Sequence, residues 1–516
     1  TFRKAEKFFD VVTYTGDGTN TRRVSHNLNA TPGFIVVKKT SATQDWICSH
    51  SYDNNNNNFK LNTTGATFGA GYIDTPNETS FGVNDYGNPT DLNDSGATYV
   101  AYLFASDAGG FGEDGTENII KCGSYTGNGN LVGPVVNTGF EPQWVLLKST
   151  ATGIWSIFDN MRGIASGVSQ DKVLQANATT SEYNEGAIGL TATGFNIEAT
   201  THSNYNTNGQ TYIYIAIRRP MKTPESGTEV FDLTLTENSS APFVSSAFPV
   251  DTGLAGYRSS GGFYWGDRIR GANELAPSST AAEGAGSMWK WDYQNGWLAS
   301  ASGANLFYSF KRATGFMDVV AYSGNSSYPR NISHNLGVVP EIMWVKDRNA
   351  VGFWRVYSKD MTVQQEMILN DTYAAGGTGS WGTAGRPTDS AFIAGSSNTN
   401  YSGRNYIAYL FATLAGVSKV GSYTGTGSDL NVDCGFTAGA RFILIKRTDS
   451  AGDWYTYDSA RGIVAGNDPY LLLNTTGAEV TNTDYIDPLN AGFTATSNGS
   501  STVNVNGGTY IFLAIA

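Results

Sequence analysis

The chain has 516 residues, a formal charge of −12 and a pI near 4.9, with 33 basic against 45 acidic side chains. That balance argues against a nucleic-acid ligand, whose phosphates need a basic surface. No apolar run of about 18 residues exists to cross a membrane as a helix. No Cys/His cluster or nucleotide-binding loop in a strand-to-helix setting appears either, so no metal and no cofactor is expected.

The first segment, residues 1–107, opens with Phe9-Asp10-Val11-Val12, turns at Tyr14-Thr15-Gly16, passes Ser25-His26-Asn27-Leu28, and closes on Tyr99-Val100-Ala101-Tyr102-Leu103-Phe104-Ala105. The second, 117–219, carries Gly123-Ser124-Tyr125-Thr126-Gly127, Gly139-Phe140, an apolar run ending at Lys148, a Trp155 strand, an Asp159-x-x-Arg162-Gly163 corner and a closing strand from Thr211. The third, 228–312, keeps the corner as Asp267-x-x-Arg270-Gly271 and a closing Leu306–Phe310, and has lost the Tyr-Thr-Gly opening. Residues 313–413 repeat the first variant, with His334 standing 308 residues after His26. Residues 417–516 repeat the second, with Trp454, the corner Asp458-x-x-Arg461-Gly462 and a closing strand from Thr509. Each segment of roughly 85–110 residues has the size of a compact domain, and self-similarity of this kind marks an array. Thr1-Phe2-Arg3-Lys4-Ala5 matches Ser309–Ala313 at the same 308 offset, so the sequence reads as a window on a longer polypeptide.

The local pattern is β throughout. Short bursts of aromatic and β-branched residues are separated by Gly, Asn, Asp and Ser, and no long helical period occurs. About seven bursts per segment predict an all-β protein: a tandem array of five antiparallel β-sandwich domains. The closing strands are apolar on both faces and belong at sheet centres. The Trp strands are expected to fill the core of their own domain. The corner is expected to hold a local ion pair with its Gly in the left-handed region. Phe310 to Phe316 leaves almost no linker and predicts stiff docking, whereas Ser106–Gly115 reads as a hinge or an ordered loop.

Candidate chemistry is sparse. His26 and His334 read as imidazoles hydrogen-bonded at a strand end, and His50 and His202 have no counterparts. Cys48, Cys122 and Cys434 fall at non-equivalent positions, which excludes a shared disulfide framework and suggests small buried residues. Asp159, Asp267 and Asp458 recur with Glu182, Glu283 and Glu479. A glycosidase pair is one reading, but copying in three segments favours a role in the fold. The turn Thr15–Thr19 loses its Asp17 in the other copies, which favours a turn over a calcium cage. Recognition is sought where the copies disagree: Tyr52-Asp53 with Asn54–Asn58, Gly69–Tyr86, His202–Tyr205 and Gly376–Tyr401. There Tyr72, Tyr86, Tyr205, Trp381 and Tyr401 sit among polar residues, the equipment for stacking on a sugar.

Ser333-His334-Asn335-Leu336-Gly337-Val338-Val339-Pro340-Glu341 with Trp344-Val345-Lys346, the Asp-x-x-Arg-Gly corner, and Lys311–Val320 resemble a tandem domain family in structural proteins of tailed phages, marine phages and cyanophages among them. The resemblance covers nearly the whole chain. The first segment departs from it at Asn29-Ala30-Thr31-Pro32-Gly33. It implies a concanavalin-like or jelly-roll sandwich in each segment and no catalytic residues. It further implies a virion or extracellular protein, such as a tail fibre, that partners other virion or filament subunits and copies of itself, with host-surface glycan as the partner that the variable-loop aromatics suggest. The alternatives carried forward are a capsid-surface or filament assembly protein, and a glycan-binding adhesin or glycan-degrading enzyme.

Overall fold

The computed structural model describes all residues except 54–56, 88–90, 131, 168–170, 199–203, 221, 299, 301–302, 378 and 383–384. The protein is all-β, built from antiparallel sheets in repeated units. The described residues form five large sheets of five or six strands and five small sheets of two or three. One large and one small sheet alternate strands within each repeated segment. In every large sheet the opening strand pairs with the closing strand, and the closing strand with the third, the third with the fourth, and the fourth with the fifth. The second strand leaves to join the small sheet.

The closing strands Thr98–Ala105, Thr211–Arg218, Leu306–Phe310, Asn405–Phe411 and Thr509–Ile515 are therefore hydrogen-bonded on both sides, as their two apolar faces require. Their residues divide by parity. In the last segment Tyr510, Phe512 and Ala514 face the small sheet and pack on Phe493 and Ile486. Ile511, Leu513 and Ile515 point the other way, into a different core.

Opening and closing strands are pinned by one tyrosine from each, stacked in register. Tyr14 lies on Tyr99, Tyr125 on Tyr212, Tyr322 on Tyr406 and Tyr423 on Tyr510, with centroids 4.9–5.2 Å apart. The chain then turns at a glycine that admits no side chain. A Cβ on Gly16, Gly127, Gly324 or Gly425 would stand 2.1–2.3 Å from a backbone oxygen of the facing loop. That loop is held by an asparagine at a repeated position (Asn93, Asn206, Asn400, Asn504), whose carboxamide binds backbone on both sides of the turn.

The chain divides into two compact units, Thr1–Pro220 and Met221–Ala516. In the second unit the outer faces of three large sheets share one core, including Trp265 and Tyr308, Trp344, Trp354 and Tyr409, and Phe442, Trp454 and Leu513. At its centre lies an apolar void of about 10 Å3, about one water in size. The contacts run in a cycle. The Trp354 indole donates to Ala276 O, and the Trp454 indole to Ile368 O. Gly352 N donates to Thr280 O, Gly452 N to Thr372 O, and Gly261 N to Thr476 O. Fourth segment thus grips third, fifth grips fourth, and third grips fifth. In the first unit two large sheets meet in the same way, with the Trp155 indole on Lys60 O and Gly153 N on Thr64 O.

The Trp strands differ from the sequence expectation. Trp155 and Trp454 are buried, but in the core between segments and not in their own. The third segment, whose small sheet has only two short strands, fills its own core with a stack of Trp289, Trp291 and Trp297. Phe310 to Phe316 is docked tightly: Phe310 meets Phe411 edge-on and Arg312 pairs with Asp318. Ser106–Gly115 is an ordered loop, closed by Asp107 N to Ile120 O, Gly109 N to Asn118 Oδ1 and Gly110 N to Gly115 O.

Trp454→Ala is expected to cost about 3–5 kcal/mol and to raise hydrogen exchange in the partner strand Met367–Ile368 of the neighbouring segment as well as in its own sheet. Exchange confined to residues 417–516 would contradict a shared core.

Candidate functional site

The repeated carboxylates meet at the joints between segments. In each corner the arginine turns back on the aspartate three residues earlier: Arg162–Asp159 at 2.6 Å, and Arg270–Asp267 and Arg461–Asp458 at 2.5 Å. The following glycine has φ of 123°, 66° or 117° at Gly163, Gly271 and Gly462, the region only glycine enters without strain. The repeated glutamate closes the other side of the guanidinium, with Glu182, Glu283 and Glu479 at 3.4, 3.5 and 3.6 Å.

In the second unit the neighbour completes this cluster. Tyr409 of the fourth segment donates to Asp267 Oδ2 at 2.6 Å and accepts from Arg270 at 2.9 Å. Tyr308 of the third donates to Asp458 Oδ2 at 2.8 Å and accepts from Arg461 at 3.3 Å. Arg348 clamps Glu283 with two bonds of 2.8 and 2.9 Å, and Arg258 clamps Glu479 at 3.0 and 2.8 Å. The same two glutamates donate backbone N–H to the carbonyls of Arg348 and Arg258, at 2.8 and 2.7 Å. Burial disfavours charge at both partners. Even so, Asp267, Tyr409 and Glu283 hold Arg270 protonated, and Arg348 with Arg270 keeps Glu283 below the usual glutamate range. In the second unit each of these Asp and Glu carboxylates is thus already engaged by an arginine of the joint.

Three lysines that end the apolar runs, Lys148, Lys346 and Lys446, are buried beside the same joints. Lys346 and Lys446 donate to Thr280 O and Thr372 O of the preceding segment. Burial pulls all three down to about 8.

The five aromatic candidates separate. Tyr205 is 0% and Trp381 2% exposed, so both are corrected to core residues. Tyr205 O accepts from Tyr125 Oη, the position that Val503 fills toward Tyr423, and its hydroxyl bonds Ser156 and Glu185. Trp381 packs edge-on against Tyr357 in its segment's inner core. Tyr401 is 48% exposed, yet the Arg404 guanidinium lies 4.8 Å over its ring and is tied to Asp347. Tyr86, 49% exposed, stands perpendicular to half-buried Tyr72 at 5.4 Å, with Asn84 and Asp74 bonded alongside. Of the five, the structure brings only Tyr72 and Tyr86 together, as a polar-rimmed aromatic surface. Asn54–Asn56 and His202 lie outside the described residues.

The three described histidines are structural in geometry. His26 and His334 each bond a loop carbonyl through Nε2 at 3.1 Å and accept Leu28 or Leu336 N–H at Nδ1. His50 is buried against Tyr214 O. The three cysteines are free and buried. Asp17 accepts from Thr19 and Asn93, as a turn-forming side chain does. Asp85, Asp91 and Asp94 bring carboxylate oxygens within 4.8 Å of one another, and Lys39 already pairs with Asp94.

Two signals escaped the sequence reading. Arg258 and Arg348 lie six residues after the start of the third strand, a spacing that matches only once the strands are aligned. Trp46, Trp155, Trp354 and Trp454 occupy one repeated position.

Comparison with protein families gives a match over most of the chain. Residues 4–220 and 257–516 fit the family described as Domain of unknown function (DUF7483), and the chain belongs to that family. No curated protein and no solved structure matches it. No described helix is long and apolar enough to cross a membrane.

Two outcomes test the joints. Asp267→Asn removes the nearest counter-charge from a buried guanidinium and is expected to cost about 3–5 kcal/mol, whereas the paired replacement Asp267→Leu with Arg270→Met costs much less, as read by urea unfolding. Between pH 8 and 10 the unfolded chain keeps the lysine protons that the folded chain has released, so stability rises with pH, by at most about 1.4 kcal/mol per pH unit per lysine. Lys446→Met is expected to flatten that slope; an unchanged slope would show that the lysine titrates normally.

Proposed function

We propose that the chain is a non-enzymatic structural component of a phage virion, a tail fibre or similar appendage, located on the particle or otherwise extracellular. In this reading each large sheet and its small partner form one jelly-roll or concanavalin-like sandwich, and the cores shared between them supply stiffness. The observation that carries it is the use made of the recurring ionisable residues. In both closed corners of the second unit, aspartate, arginine and glutamate are joined to one another and capped by a neighbour's tyrosine. Side chains that hydrolysis would need facing substrate instead fasten one repeat to the next. Sheets covered on both faces and close-packed resist deformation, which suits a component that must carry load.

Contact with host-surface glycan is assigned to Tyr72 and Tyr86, a ring pair beside amide and carboxylate groups. Partners are other virion or filament subunits and copies of the chain. A capsid-surface or filament assembly protein is the second reading, favoured by the same sheet-on-sheet packing, which can continue from one chain to another.

Imaging of intact particles decorated with Fab fragments raised against the chain is expected to place label on projecting appendages. Label over the shell would favour the assembly reading, and unlabelled particles would remove the virion assignment. On a glycan array the chain is expected to bind and Tyr86→Ala to lose the signal; equal signals would exclude this surface as the receptor site.

A further inference from the structure

The closed set of three sheets in residues 221–516 supplies a template for the two sheets of residues 1–220. Position by position, the first unit has one seat empty. Tyr102 occupies the place of Tyr409 in the sheet register. Tyr409 is buried on the third segment's corner aspartate, whereas Tyr102 is half-exposed. Trp46 occupies the place of Trp354. Trp354 is fully buried and its indole donates to the third segment's Ala276 O, whereas Trp46 is half-exposed and its indole donates to no described residue. Phe2 meets Phe104 edge-on at 5.4 Å, as Phe310 meets Phe411 at 6.2 Å, yet Phe2 is exposed.

The far side of the seat is open too. The corner pair Arg162 and Asp159 keeps side-chain exposures of 19% and 21%, against 0% in both closed corners. Among the described residues Glu182 pairs with its own segment's Arg162 and Lys172, whereas Glu479 is clamped by Arg258 of the third segment.

We propose that residues 1–220 form a docking surface for one further β-repeat of the kind formed by residues 228–312. That repeat is other than the copy at 228–312, whose corresponding surfaces are already taken up by its own neighbours. Its chemistry is set from both sides of the seat. It presents a corner Asp-x-x-Arg-Gly to Tyr102, a turn carbonyl to the Trp46 indole, a closing-strand tyrosine to Asp159, and an arginine at the place of Arg258 to Glu182. The inference stands on the internal comparison and does not depend on the virion reading.

The test is hydroxyl-radical footprinting resolved by residue. In the 516-residue chain, Trp46 and Tyr102 are expected to be oxidised while Trp354 and Tyr409 are spared; equal protection of all four would overturn the proposal. Fusing a second copy of residues 221–308 directly ahead of Thr1 continues the closing strand in register into Phe2. Loss of oxidation at Trp46 and Tyr102, down to the level of Trp354 and Tyr409, is the expected result. A folded graft that leaves them reactive would overturn it. The reciprocal variant covers a graft that does not fold: deleting residues 221–312 is expected to raise oxidation at Trp354 and Tyr409 to the level of Trp46 and Tyr102. Unchanged protection there would show that a repeat of this kind is not what covers the face.

Discussion

The structure turns on one constraint: each large sheet has two apolar faces and its own segment supplies cover for only one. The small sheet covers the inner face with residues such as Phe195 and Ile197, or Phe493 and Ile486. The outer face, carrying Tyr308 and Phe310, or Leu513 and Ile515, must be buried by another repeat. At about 25 cal/mol per Å2 of apolar surface, leaving several such aromatics in water would forfeit a large part of a domain's net stability. Association between repeats therefore belongs to the fold itself.

Apolar faces alone slide and mismatch, so register needs directional groups. The joints supply them as backbone and charge contacts repeated at equivalent positions. Thr67 N bonds Thr150 O, Glu283 N bonds Arg348 O, Ala375 N bonds Thr448 O and Glu479 N bonds Arg258 O. These four bonds recur although the side chains are Thr, Glu, Ala and Glu. The backbone geometry is thus the constant, and the ion clusters are added where the residue types permit. Buried ion pairs contribute little net stability, but they are costly to mispair, which suits them to selecting which repeat sits beside which.

Much of the β architecture was legible in the sequence because it rests on local signals. Alternation, Tyr-Thr-Gly turns and two-faced closing strands each report a backbone requirement within a few residues. The Asp-x-x-Arg-Gly corner was legible for the same reason, since its ion pair spans three residues. Packing between repeats was not, because Trp155 or Trp454 looks the same in a strand whether its indole enters its own core or reaches a neighbour's carbonyl. Tyr205 misled by lying in a polar stretch. Its neighbours Asn206 and Thr207 form the asparagine-held loop, and only the contact from Tyr125 shows that the position is interior. Tyr86 and Tyr401 were equally plausible as exposed rings, and what separates them is Arg404, three residues from Tyr401 and lying over its ring.

The divergence of the third segment fits this division of labour. It has lost the Tyr-Thr-Gly opening, and its small sheet is reduced to Val244–Ser245 and Gly296–Trp297. Its inner core is rebuilt with three stacked indoles whose N–H groups reach Glu274, Gly271 and Ser309. Its outer face carries Tyr308, Arg258, Asp267 and Arg270, the residues that its two neighbours use. An inner core can be refilled by any side chains of suitable volume. An outer face must match two partners at once, so drift there would break two joints together. Where repeats associate through their sheets, the outer face meets two neighbours through a common backbone geometry, and comparison of repeats shows which side chains have been added to it.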